Sequence, residues 1–346
     1  MSNVSGNMLP LRVTACGICC AVGYNAPASI AAIRAHLNHF RESDFIDGAG
    51  EPIHAATLYE VPVWGHQRLR HMYHAALSEC LSALPDVGED FFPTIILIGA
   101  ERDRGTRFTK SLNGILRAYT PSMGYTHGAC WMSLGKAGIA NALQTANDIF
   151  SKPDAPEYVI VVGVDSFLDA ATIDHFLRAG RVRCSHNADG FIPGEAGAAI
   201  ALSRKPGKQA SLWIEGVGQS HEAATPENDV PLRAHGLTQA LRQAIEQAGS
   251  QASDYLFHAS GVSGEQWYFK EAALAMDRVM THKAASFPHR LVCQSVGEVG
   301  AACGPLALGW IASEMGVNDD ILGHRGLLHF ANDNGQRAAL ALHYRE

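Results

Sequence analysis

An α/β fold on a central, mainly parallel sheet is what this sequence predicts, and three observations predict it. Apolar runs of strand length recur without clean in–out alternation, as in strands covered on both faces. Helical stretches separate them. Strands also close two successive series, near residues 200 and 340. The chain therefore reads as two similar halves, 1–206 and 207–346, divided in the Pro-, Gly- and Lys-containing segment RKPGKQAS (204–211).

In order, LRVTACGICCAVG (11–23) opens as a strand, and APASIAAIRAHLNHF (26–40) sets Ile30, Ile33 and Leu37 on one helix face. RLRHMYHAALSECLSAL (68–84) does the same with Leu69, Tyr73, Ala76 and Leu81. A strand, TIILIGA (94–100), precedes WMSLGKAGIANALQTANDIF (131–150), a helix dominated by small and apolar residues. EYVIVVGVDS (157–166) and GAAIALSR (197–204) finish the first series. The second begins with SLWIEGVGQS (211–220), followed by the helix GLTQALRQAIEQAG (236–249) and the strand DYLFHASG (254–261). The helix EQWYFKEAALAMDRVM (265–280) leads to three strands, RLVCQSVG (290–297), GLLHFAND (326–333) and RAALALHY (337–344). EYVIVVGVDS and RLVCQSVG read as counterparts in the two halves.

The chain has 346 residues, 47% apolar and 18% charged, as in an ordinary globule with an ample core. A net charge of -7 without any basic arm gives no reason to bind nucleic acid. No apolar run approaches the roughly 20 residues of a membrane helix. MSNVSGNMLPLRVTACG lacks the pattern of a secretory signal, so no membrane span and a cytoplasmic location are expected. The eight cysteines sit mostly in apolar runs and read as reduced thiols. Cys16 and Cys19 form a lone CxxC, and neither His36/His39 nor His66/His71/His74 forms HExxH. Those histidines read as solvated helix faces, and neither a metal nor a cofactor is expected.

Cys130, in GACWMSLGKAGIANAL, is the first candidate for chemistry. A thiol at a helix N-terminus feels a partial positive charge that favours thiolate and makes it an acyl acceptor. The other reading is a small hydrophobe in a core.

GACWMSLGKAGIANAL, followed by VVGVDS and DGFIPGEAGAA (189–199), resembles the β-ketoacyl synthase branch of the thiolase-like superfamily. VTACGICCAVGYNAPASIAAI is similar to that family's opening strand and helix. The resemblance is clear over about residues 11–204 and weaker beyond. It implies a pseudo-duplicated five-layered α-β-α-β-α fold, usually a homodimer. It also implies an acyl-thioester on Cys130, formed from an acyl carrier protein or coenzyme A thioester in fatty acid or polyketide-type synthesis.

In the family, two histidines of the second half promote decarboxylation and steady the developing enolate oxygen. Here the first motif falls at FHASGVSGEQ, where His258 is out of register and Ser260 takes the histidine's place in the alternative alignment. The second falls at CQSVGEVGAACG, with Glu298 in place of the histidine and Cys293 in place of the lysine. HFANDNGQR replaces the closing Gly-rich loop. Burial would raise the Glu298 pKa and suit it to acid–base work; equally, it would hold backbone amides at a helix start. His258 is a catalytic helper or a satisfied core histidine. Asp165, Asp189 and Glu195 read as holding turns. Trp131 and Met132 stand where relatives carry small residues, and would narrow an acyl pocket. Trp267, Tyr268 and Phe269 line a partner surface or pack between the halves.

Cys130, Glu298 and His258 are thus the expected catalytic set of a condensing acyltransferase. The alternative is a non-catalytic partner subunit or scaffold, like a chain length factor, paired with a related synthase. A degradative thiolase ranks third, because that group's C-terminal motifs are absent.

Overall fold

A computed structural model describes residues 10–84, 93–102, 104, 130–281, 286–317 and 324–346. The described strands are β1 (Leu11–Cys20), β2 (Phe40–Ile46), β3 (Pro52–Ala56), β4 (Thr94–Gly99), β5 (Cys130–Ser133), β6 (Val159–Ser166), β7 (Glu195–Ser203), β8 (Ser211–His221), β9 (Phe257–Ser260), β10 (His289–Leu291), β11 (Arg325–Ala331) and β12 (Gln336–Arg345). The described helices longer than one turn are α1 (Ala26–Arg34), α2 (Gly65–Ser82), α3 (Gly138–Phe150), α4 (Ala170–Arg178), α5 (His235–Gln247), α6 (Gln266–Val279) and α7 (Cys303–Val317).

Ten strands hydrogen-bond in the order β10-β9-β11-β12-β8-β1-β7-β6-β4-β5. Counted outward from the centre, one block runs β1-β7-β6-β4-β5 and the other β8-β12-β11-β9-β10. Each strand of one block has a counterpart, in chain order, in the other. Among the described residues the two blocks' strands pair at Leu11↔Ile214 and Arg12↔Trp213. The sheet is mixed, which corrects the expectation of a mainly parallel one: β4–β5, β4–β6, β9–β10 and β9–β11 are parallel, and the remaining pairs are antiparallel. The counterpart of β6 is β11, not the 290–297 segment. That segment holds only the short β10 before a helical turn at Cys293–Val296.

The layers follow from what each helix buries. Leu69, Met72, Tyr73, Ala76 and Leu77 of α2 cover the outer face of the first block with Ile160, Val162 and Ala199. Helices α1, α3 and α7 lie between the blocks, against β1, β6 and β7 on one side and β8 and β12 on the other. Helices α5 and α6 cover the outer face of the second block. This is the five-layered α-β-α-β-α arrangement. Helix α7 begins CGPLALGWIAS and is buried around most of its circumference, as a central helix must be. Among the described residues no helix is long and apolar enough to cross a membrane.

Candidate functional site

Two strand–turn–helix elbows meet at the centre of the molecule. In the first block, β5 ends at Ser133 and the chain turns through Leu134, Gly135, Lys136 and Ala137 into α3. Gly135 has φ +59, and a Cβ there would lie 2.0 Å from Glu101 Oε1, so only glycine fits the turn. Asn332 ties the turn down: its Oδ1 accepts from Ala137 N (2.9 Å) and its Nδ2 donates to Leu134 O (2.6 Å). In the second block, β10 leads through the turn at Cys293–Val296 to Gly297, Glu298, Val299 and Gly300, and then to α7. Gly297 and Gly300 have φ +71 and +49. Glu298 N donates to Ile192 O (2.8 Å), and Gly194 N donates to Glu298 O (2.9 Å), so the DGFIPGEAGAA loop fixes this elbow.

The elbows are joined by an ion pair. Lys136 Nζ lies 2.5 Å from Glu298 Oε2 and donates to Gly261 O at 3.2 Å. Glu298 also accepts from Ser263 Oγ (2.6 Å) and Gly300 N (2.9 Å). Burial alone would pull the Lys136 ammonium down, but Glu298, with Cys293 and Cys303 nearby, holds it above its usual value. Both side chains are almost fully buried, with 11% and 5% exposed.

Further buried charge surrounds the pair. Asp165 holds Arg104 (Oδ2 to Nη1, 3.0 Å) and accepts from Ala301 N at 2.9 Å. Arg104 also meets Glu101 at 3.5 Å and covers the Phe167 ring at 4.0 Å. Burial pushes the Glu101 carboxyl up to about 7, against the pull of Arg104. Arg181 bridges Glu265 (2.7 Å) and Asp333 (2.8 Å), and Tyr268 Oη donates to Asp333. The space left among Glu101, Lys136, Arg181, Glu298 and Asp333 is about 20 Å³, which is room for one water.

The three expected catalytic residues fall on three separate elements, Cys130 on β5, His258 on β9 and Glu298 in the second elbow. Cys130 opens β5, opposite Ile96 of β4, and is not at a helix N-terminus; α3 starts only at Gly138. That corrects the expected helix over 131–150 and removes the helix-end field from the thiol. Cys130 lies about 10 Å along the strand from Ser133. It packs half-buried on the central core, and burial pushes its thiol up. Trp131 is 45% exposed, while Met132 packs on the core beside Cys130. Residues 125–129, which precede Cys130 in the motif, lie outside the described residues.

His258 sits on β9, and its ring contacts are with Phe287, His289 and His329. Burial, with the neighbouring His289, pushes it down to about 3, so it is a neutral imidazole at ordinary pH. Of the three, only Glu298 is in the central network. Asp165 and Glu195 hold structure as expected, the latter through Arg68 and Leu58 N. Tyr268 joins the network, while Trp267 and Phe269 are half-buried beside it.

Sequence reasoning missed Lys136, Ser263, Asn332 and Asp333. The available signal was LGKAG, a glycine-flanked turn just before the small-residue helix, which is a better elbow than GAC six residues earlier.

No family model matches the chain, and no curated protein matches it. Solved structures do. A complex of a type II polyketide acyl carrier protein with its ketosynthase bound to the hexaketide matches at TM-score 0.79 and 13% identity, over 97% of this chain and 99% of that one. A complex of a ketosynthase with its chain length factor from Xenorhabdus doucetiae matches at TM-score 0.75 and 13% identity, over 99% and 100%. A β-ketoacyl synthase from Burkholderia phymatum matches at TM-score 0.73 and 15% identity, over 98% and 100%. With two five-strand blocks, five layers and this end-to-end correspondence, the chain has the thiolase-like fold of the ketosynthases.

Proposed function

We propose that this chain is a ketosynthase-like subunit without condensing activity of its own, acting like a chain length factor beside a synthase that does the chemistry. One observation carries the reading: the elbow that opens α3 presents Lys136, locked onto Glu298, where acyl transfer needs a free nucleophile. An amine held as ammonium has no lone pair to attack a thioester. Among the described residues the network around it leaves a space of about 20 Å³, far too small for an acyl chain. The reading agrees with a known relative of the same fold, a ketosynthase solved with its chain length factor. Strand β5 ends the sheet order among the described residues, and an edge strand is a fitting place for a partner.

The competing reading is a condensing acyltransferase with Cys130 as acyl acceptor and Glu298 and His258 assisting. Its substrates would be carrier-protein or coenzyme A thioesters, with a homodimer as the working form. One experiment separates the two. The full chain is incubated with acyl-coenzyme A and acyl carrier protein thioesters and examined by intact-mass and peptide mass spectrometry. It is also co-expressed with a ketosynthase that retains its cysteine and both histidines. We expect no acyl adduct on Cys130, and a Cys130→Ala chain that still co-purifies with the synthase. A stoichiometric adduct on Cys130 that disappears in Cys130→Ala would restore the acyltransferase.

A further inference from the structure

We propose that His258, His289 and His329 form a binding site for a divalent first-row transition metal, zinc being the ion their chemistry fits. The sheet register builds the site. His258 of β9 and His289 of β10 are direct partners in a parallel pair. His329 of β11 is opposite Ser260, two residues beyond His258. Residues two apart on a strand share a face, so three neighbouring strands present three imidazoles to the same side. One ring nitrogen from each histidine lies within 4.8 Å of those of the other two. No linear motif announces the site, because its ligands are 31 and 40 residues apart in the chain.

A second observation points to a ligand. His258 Nδ1 and His329 Nε2 are buried without a hydrogen-bond partner, in residues only 7% and 2% exposed. Buried polar atoms in native folds are almost always satisfied, and a pair of orphans in one cluster needs a reason. The neutral imidazole is the form that ligates a metal. Arg337, whose charge reaches His329, is compensated by Glu271 at 2.7 Å. Ser260 Oγ, 2.7 Å from His289 Nε2, supplies a hydroxyl at the same place.

Coordination uses lone pairs in the plane of each ring, whereas the rings now lie in a stack. His258 and His289 have centroids 4.0 Å apart and planes 15° apart. Zinc–nitrogen bonds of about 2.0–2.1 Å draw ligand nitrogens to about 3.4 Å in a tetrahedron. Metal entry therefore turns at least one ring out of the stack. His289 has the freedom to do so, being half-buried on a strand of only three residues at the end of the sheet order. A bound ion clamps that short strand to β9 and β11. Asp47, Cys184 and His186 form another cluster of ligand types, but Asp47 is already occupied by Ser185 Oγ and by the amides of Ala49 and Glu51. It serves as an internal control.

The test uses the full chain, stripped with a chelator and dialysed, then titrated with Zn²⁺ by calorimetry and with Co²⁺ by visible absorption. We expect one ion per chain, a ligand-field spectrum of low-coordinate cobalt, and a rise in melting temperature. His289→Ala, the least buried ligand, should bind at least about 10-fold more weakly while keeping the wild-type circular dichroism; His186→Ala should bind as wild type does. The proposal is overturned if the folded wild-type chain binds neither ion, if His289→Ala binds as tightly as wild type, or if His186→Ala is the variant that loses the metal.

Discussion

Lys136 and Glu298 come from opposite blocks, 162 residues apart, and neutralise each other's charge. Removing one partner strands a buried charge, which typically costs about 3–5 kcal/mol; replacing both with apolar groups of similar volume is far milder. Lys136→Met alone and Glu298→Leu alone should therefore each lose about 3–5 kcal/mol in urea unfolding. The double variant should lose much less than their sum. Additive losses would mean that the pair does not bind the elbows together. Half of this pair was legible. Glu298 stood out because it occupies a gapped Gly-rich motif. Lys136 did not, since nothing local distinguishes an elbow lysine from a solvated one. Cys130 misled for the converse reason: a cysteine after Gly-Ala looks like an elbow, but β4 claims it as a strand partner.

Close approach of strand and helix is written in small residues. Gly216 and Gly218 of β8 face Ala244 and Ala240 of α5. A Cβ at either glycine would meet a helix carbonyl oxygen, at 1.9 Å and 1.8 Å respectively. Because the obstacle is backbone, α5 must move as a body to make room. Gly218→Val should destabilise by about 3 kcal/mol, the upper end of what overpacking typically costs. Gly48→Ala, where nothing lies within 4 Å, should stay within about 0.5 kcal/mol. Equal melting temperatures for the two variants would refute this account of the α5–β8 contact. Most strands were readable as continuous apolar runs, yet several elements were not. Helix α7 carries no amphipathic stripe because it is buried nearly all round, so periodicity has nothing to report. The hairpin β2–β3 hides for the opposite reason: FRESDFI is largely polar and half-exposed. Helix α1 stops at Arg34, leaving Leu37 54% exposed, because the chain turns at His36 with φ 54 and enters β2.

At the scale of the molecule, the two blocks share one interior. Helix α7 belongs by sequence to the second series, but Leu306, Ala307 and Leu308 are buried in the same core as Ile18, Val161 and Ile200 of the first. Arg34 of α1 likewise pairs with Glu314 of α7 at 2.6 Å. Among the described residues β1 and β8 pair through Leu11↔Ile214 and Arg12↔Trp213 alone, so the central helices carry much of the union. A duplicated topology would suggest two independent folding units; the burial pattern argues for one. We therefore expect the full chain to unfold in a single transition, with near-ultraviolet circular dichroism and tryptophan fluorescence coincident along a urea series. We also expect the separate fragments 1–206 and 207–346, cut where the sequence divides, to expose the apolar central faces, bind hydrophobic dye and aggregate. When co-expressed, they should recover the native spectrum. Two resolved transitions, or a 1–206 fragment with native near-ultraviolet signal on its own, would show that each block closes its core alone. The ion pair between the elbows would then be a contact between finished domains and not part of how either one folds.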